Sequence, residues 1–324
     1  MPAPAIDIWH PEPVRVAAAG RPQPWANVVG RVHCDSSPVY TAGYKCNDGP
    51  FTPLVLGPSA YRLRHPGDFN IELDFDTLSP GPNTVSIWAS NHAGEVTQRD
   101  VIVEYVAHDA CPLPLDIHWQ DVAAIHDVGQ IVDGQWRLTD AGPRPVSLAY
   151  DRVLVVGDMT WSDYTATAVV TIHGYETTPA IYGWPSYGPA VGLLMGWRGH
   201  AQWGDMVPRR GWHPFGSLAF LRWQKDGQPM CKQLWAGVAS DQIAPPVPTP
   251  DPDLDRPYIY KVQSRTQPGK PNHFAMKMYP ADTPEPADWD LAGTAAPESH
   301  THGSLALVAH HTDATFGDIH VEPI

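Results

Sequence analysis

The stretch DFNIELDFDTLSPGPNTVSIWASNHAGEVTQRDVIVEYV, residues 68–106, decides the fold class. Ile71, Leu73 and Phe75 alternate with Glu72, Asp74 and Asp76, the period of two that gives a strand one buried face and one wet face. LSPGPN is a loop, after which Val85 and Ile87 alternate with Ser86 and Trp88. NHAGE reads as a turn, and Val101 and Val103 carry a last strand. Short alternating segments separated by turn signals reach back to Ile6.

Composition agrees. The 324 residues hold 36 Pro and 27 Gly without any period, which leaves almost no stretch fit for a long helix. With 43% hydrophobic and 17% charged residues, the chain buries a sizeable core. An all-β protein follows. Thirty-five acidic residues against 21 basic give a net charge of −14, a field that repels phosphate backbones and argues against nucleic acid as a partner. No run of eighteen apolar residues is present, so no membrane-spanning helix is expected. The start, MPAPAIDIWHPEP, lacks the basic and apolar regions of a signal peptide. Cys34 and Cys46 flank CDSSPVYTAGYKC at a spacing suited to stapling a hairpin, while Cys111 and Cys231 lie far apart. Four cysteines admit three pairings, or four thiols. This tilts the reading toward an extracellular setting without choosing a pairing.

HDACPLPLDIHW, with Pro112 and Pro114, reads as an extended linker, after which Trp becomes frequent and strands lengthen. Strands are expected near 134–139, 145–150, 164–173, 188–198, 216–224, 230–235, 258–266, 274–279, 304–311 and 316–321, a set the size of a jelly roll. The Pro/Asp-rich 239–257 has the length of a lid.

The "G-x-N-x-V-x-I-x-A-x-N-x-A-G" pattern from Gly81 resembles the last strands of an immunoglobulin- or cadherin-like sandwich. Further on, VVGDMTWSDYTATAVVTIHG (155–174), YIYKVQSRTQPG (258–269) with HFAMKMYPADTPEPADW (273–289), and GSLALVAHHTDATFGDIHVEPI (303–324) resemble the laminin G-like branch of the concanavalin A-like lectin/glucanase superfamily. The expected architecture is an immunoglobulin-like sandwich over 1–108, a linker over 109–118 and a concanavalin A-like jelly roll over 119–324. That superfamily includes lectins, glycan-binding modules, glycoside hydrolases and polysaccharide lyases, so the fold alone does not select among them.

Glu72, Asp74 and Asp76 superficially resemble the carboxylate strand of laminarinase-type glucanases. Thr77 stands where that pattern has Glu, and a solvated strand face accounts better for the residues. WRGHAQWGDMVPRRGWHPFGSLAFLRW (197–223) is the stronger candidate. Trp197, Trp203, Trp212 and Trp223 are interleaved with Arg198, His200, Arg209, Arg210 and His213. Indole faces stack on sugar C–H patches while Arg and His bond hydroxyls and carboxylates; against this, Trp often packs in cores. Lys261, Gln263 and Arg265 share one strand face, and Lys277 and Tyr279 another, a polar row of the residue types lyases use. His310 and His311 end an apolar strand, so alternation points them to opposite faces, and His300 and His302 lie in a nearby loop. The laminin G-like resemblance further implies a structural Ca²⁺ held by Asp158, Asp163 and Asp318, residues that turn chemistry also explains.

The leading expectation is a carbohydrate-recognising protein that grips a polysaccharide or other glycan through the Trp/Arg/His cluster. The alternatives are a polysaccharide lyase or glycoside hydrolase of the same fold, with Arg210, His213, Tyr279 and His310 as candidate catalytic groups, or an adhesion module without a small ligand. P-loop, G-x-S-x-G, H-E-x-x-H and dinucleotide motifs are absent.

Overall fold

A computed structural model describes residues 2–35, 37–59, 61–107, 110–176, 188–223, 229–238, 241–267 and 270–324. The alternation between 68 and 106 is realised as strands Asp68–Asp74, Gly81–Asn91 and Val96–Tyr105. Ile71, Leu73, Phe75, Val85, Ile87, Val101 and Val103 all point into one core. Two sheets close over it. One orders Ala5–Ile8, Trp25–His33 and Asp68–Asp74; the other has five strands, with Val14–Val16 running parallel to Val96–Tyr105 at its edge.

From Leu115 onward the chain builds a larger sandwich. Its eight-stranded sheet runs Gly129–Asp133, Arg152–Val156, Ser304–His310, Ala190–Trp197, Phe215–Arg222, Cys231–Gly237 and Asp241–Gln242, with Val247–Pro248 also on the Cys231 strand. Its six-stranded partner orders Leu291–Thr294, Lys270–Pro280, Pro257–Gln267, Tyr164–Tyr175, Thr312–Pro323 and Leu115–Ile117. Strands distant in sequence become neighbours, and the chain crosses repeatedly between sheets, as a jelly roll requires. Leu154, Leu193, Leu221 and Leu307 meet Val170, Tyr260, Phe274 and Phe316 between the sheets. The outer face of the eight-stranded sheet is buried too: Val153, Leu194, Trp197, Phe220 and Val308 form a second cluster there. Burial on both faces explains why LALVA and VGLLMG read as unbroken apolar runs rather than alternating ones.

Three expectations are corrected, and one left open is resolved. Leu115–Ile117, assigned to the linker, is a strand paired with Thr312–Pro323, and Cys111 joins the jelly-roll core; the expected boundary at 108–109 lies outside the described residues. No strand covers 145–150; strands Gly142–Pro145 and Arg152–Val156 flank a bend whose Ala149 carbonyl accepts the His311 amide. Gln224 and Ala239–Ser240, at the ends of two expected segments, lie outside the described residues. Cys34, Cys46, Cys111 and Cys231 are all thiols. Finally, Glu72 does not face solvent: its carboxylate is buried where the two sandwiches meet.

His10 packs at that same side of the N-terminal sandwich. Its Nε2 accepts the Val29 amide at 3.1 Å. Burial, with His126 nearby, pushes its pKa down from 6.5 to about 3. The native state therefore holds a neutral ring that the unfolded chain protonates, so this contribution is complete above about pH 6.5 and lost as pH falls toward 3. Urea midpoints measured across that window are expected to fall with acidification, and His10→Gln, which keeps an acceptor for Val29, is expected to flatten the slope.

Candidate functional site

The segment between Trp197 and Phe215 leaves the eight-stranded sheet and returns to it, held by a reciprocal backbone pair between Ala201 and Gly211. What fixes it in place is a buried ion network. Arg62, 5% exposed, reaches out of the N-terminal sandwich and donates to Asp133 Oδ1, Glu72 Oε1, and the carbonyls of Val132 and Arg209. The second oxygen of Asp133 accepts His200 Nε2 at 2.8 Å. Burial alone would raise the Asp133 carboxyl, but Arg62 and His200 beside it hold it down at about 2. Arg209 closes the loop onto the first sandwich, bonding Glu72 through its amide at 3.0 Å and its guanidinium at 3.2 Å while lying 4.1 Å over Trp25. A neutral ladder continues the seam. Gln130 bonds the Trp25 carbonyl and Asn27 at 3.0 Å each, Asn70 bonds Val132 at 2.8 Å, and Trp197 Nε1 donates to Gln23 at 3.2 Å.

The loop has two working flanks. On one, the Arg210 guanidinium sits between two rings, 4.4 Å from Tyr61 and 4.6 Å from Trp203. Trp203 is 55% exposed, and among the described residues no carboxylate pairs with Arg210. Tyr61 meets Tyr150 edge-on at 5.0 Å, and Tyr150 meets His310 edge-on at 4.9 Å. On the other flank lies a cleft of about 320 Å³ lined by Trp25, Arg198, His200, Gln202, Arg209 and His300 among others. Arg198 donates to His302 Nε2 at 3.0 Å. Burial and the Arg198 charge lower His302, and burial with the neighbouring Arg198 and His302 lowers His300, so both rings are biased toward the neutral form.

Several expected ligands are structural instead. Trp197 is fully buried, edge-on to His200 and Trp212. Trp223 is buried against Tyr175 with centroids 4.3 Å apart. Both supply core rather than platform, because the sheet is covered on both faces. His213 is half-buried over Phe215, bonding the Gly237 carbonyl at 3.3 Å. Lys261, Arg265, Lys277 and Tyr279 lie on the six-stranded sheet, apart from the loop. There Lys261 and Lys277, opposite each other in register, share Glu285 at 2.9 and 2.7 Å. Those two ammonium groups hold the Glu285 carboxyl down at about 2, so one carboxylate engages both lysines of the row.

The histidine pair departs from strand alternation. His311 has φ 51°, a left-handed turn, which swings its ring to within 4.6 Å of His310 instead of to the opposite face. His310 is backed by Asp151 at 2.7 Å and His311 by Glu176 at 2.8 Å; burial and the adjacent His310 push His311 down. Across the sheet His310 and Arg222 both pair with Ala190, one on each side. A small residue thus separates an imidazole from a guanidinium along one register row.

The three expected calcium ligands serve separate turns. Asp158 accepts the Arg21 amide and Thr160, Asp163 accepts Thr266, and Asp318 accepts His118 and the Trp119 amide. Among the described residues no group of three or more His, Cys, Asp or Glu converges as a metal site.

No protein-family model matches the chain, and no curated protein matches it. Solved structures do. The exoplasmic/lumenal domain of VIP36 in its Ca²⁺/Man2-bound form aligns at 12% identity over 65% of this chain and 87% of that one, with a TM-score of 0.45. A mutant of alginate lyase Aly36B in complex with alginate trisaccharide aligns at 12% identity over 66% and 99%, TM-score 0.41. The globular domain of T. cruzi calreticulin aligns at 8% over 65% and 84%, TM-score 0.32.

Tyr61, Arg62, Trp25, Asp133 and Asp151 carry no sequence signal of their own; the docking of the sandwiches gives the first four their roles, and Asp151 is placed against His310 within the second sandwich. Replacing Arg62 by Met removes the guanidinium that Asp133 and Glu72 share, leaving the buried Asp133 paired with His200 and Glu72 with Arg209. A loss of about 3–5 kcal/mol in denaturant-derived stability is expected. Because the Asp133 carboxyl is depressed from 3.8 to about 2, its contribution is present above about pH 4 and is lost as pH falls through 2.

Proposed function

We propose that the protein recognises a polysaccharide on the loop between Trp197 and Phe215. One observation carries the reading. Arg210 is clamped between Tyr61 and the exposed Trp203 without a carboxylate partner among the described residues. In a chain of net charge −14, a cation held this way is a site for an electron-rich ligand. The indole offers a flat face for a sugar ring, and the guanidinium, stiffened by stacking, offers directed donors at its edge. The resemblance of residues 155–174 and 258–324 to concanavalin A-like modules supports the same reading. The N-terminal sandwich is then part of the recognition surface, since it supplies Tyr61. An immunoglobulin-like domain followed by a jelly roll that takes in the strand Leu115–Ile117 is the organisation we assign.

Glycan arrays followed by titration of the best-binding oligosaccharide test this. Trp203→Ala and Arg210→Ala are each expected to weaken binding about ten-fold, ~1.4 kcal/mol, with unfolding midpoints unchanged. Undiminished affinity in both variants would sink the proposal.

A second reading, cleavage of the bound chain, is favoured by the row in which His310, backed by Asp151, and Arg222 flank Ala190. An imidazole oriented by a carboxylate is a competent proton acceptor, and a guanidinium neutralises a uronate carboxylate. Incubation with acidic polysaccharides is expected to yield new chain ends that His310→Ala abolishes; unchanged chain length across a broad panel leaves recognition as the sole activity.

A further inference from the structure

We infer that the cleft on the opposite flank of the same loop is a second sugar subsite, selective for a unit that bears a carboxylate. The inference rests on the polysaccharide reading above and extends it to a substrate class, the uronate-containing chains. At about 320 Å³ the cleft falls within the size of small-molecule sites. Its walls come from both sandwiches: Trp25 begins a strand of the first, and Arg198, His200, Gln202 and Arg209 belong to the second.

The charges in this wall are not equivalent. Arg209 is already neutralised by Glu72 and Asp74. Arg198 is not: its hydrogen-bond partner among the described residues is His302, whose Nε2 accepts and therefore carries no proton there. No carboxylate lies within ion-pair reach of Arg198 among the described residues, and His300 and His302 are both disfavoured as cations by burial and by its charge. The cleft thus keeps one uncompensated positive charge with neutral groups around it, which is the complement of a single carboxylate.

Two further groups in the lining lack partners. His200 is 2% exposed and Trp25 7%. His200 Nδ1 and Trp25 Nε1 have no hydrogen-bond partner among the described residues, although each sits in an otherwise well-satisfied seam. A buried polar atom left this way costs about 1–3 kcal/mol, and a sugar hydroxyl, able to donate or accept, would satisfy either one. The glycine between Arg198 and His200 is part of the device. Gly199 has φ 93°, and a Cβ there would lie 2.6 Å from the Trp25 ring, so only glycine lets the chain pass close to the indole and keep the cleft open.

The test uses the whole protein with two monosaccharide probes, glucuronate and glucose, in calorimetric titrations. Glucuronate is expected to bind more tightly than glucose. Arg198→Gln is expected to lower glucuronate affinity roughly ten-fold, the scale of one charge-assisted hydrogen bond. Equal affinity for the two sugars, or unchanged glucuronate binding in Arg198→Gln, overturns the subsite. If polysaccharide binding still depends on Trp203 in that case, the platform reading survives alone. Absence of binding by any glycan ends both. Should Arg198→Gln fail to fold, the imidazole resonances of His200 and His300 in the unsubstituted protein decide. Movement on adding glucuronate supports the subsite, and signals that stay fixed to saturation overturn it.

Discussion

One guanidinium holds this molecule together. Arg62 leaves its own sandwich and is received by two carboxylates and two carbonyls; Glu72 belongs to its own sandwich, while Asp133 and the carbonyls of Val132 and Arg209 belong to the other. A buried cation in a chain this acidic is tolerable only when its donors are all received by negative or partially negative atoms. That requirement couples Asp68–Asp74 to Gly129–Asp133 and to the loop at Arg209. Hydrophobic contact alone would let the sandwiches slide; directional bonds to Asp133 and Glu72 fix one register.

The proposed recognition surface lies where that register is enforced. The eight-stranded sheet is covered on both faces, so it offers little open floor, and residues expected to line a cleft are spent on packing. Trp197 and Trp223 show this most clearly. The excursion between Trp197 and Phe215 is instead pinned at His200 from below and at Arg209 from the side. Trp203, Arg210, Arg198 and Gln202 are left at its surface, and the N-terminal sandwich contributes a ring to each flank, Tyr61 to one and Trp25 to the other.

The fold was largely legible because strand periodicity is a local property. Ile71, Leu73 and Phe75 face inward as alternation demands, and the jelly-roll strands fall close to their expected places. Legibility failed where a distant element intervened. Glu72 reads as a wet residue of a half-buried strand, and becomes buried because Arg62 and Arg209 arrive from elsewhere. The Pro-rich 109–118 reads as a spacer, yet Leu115–Ile117 finds an edge to pair with. His310 and His311 read as diverging, and converge because one left-handed residue breaks the period. The concentration of Trp, Arg and His in 197–223 was legible in the sequence. Which of its tryptophans would be exposed was not, since exposure is set by the partner sheet and the first sandwich rather than by neighbours in sequence.

The double anchoring of the loop has a consequence for how fast and how selectively it acts. A surface segment tied only at its ends samples many shapes, and a ligand must select among them. Here His200 and Arg209 lock the middle of the segment into the seam, so its conformational freedom is lost during folding and not again at binding. The loop therefore behaves as part of a rigid body, and any fluctuation that remodels it must first part the two sandwiches. The lifetime of the proposed recognition surface is then tied to the lifetime of the seam.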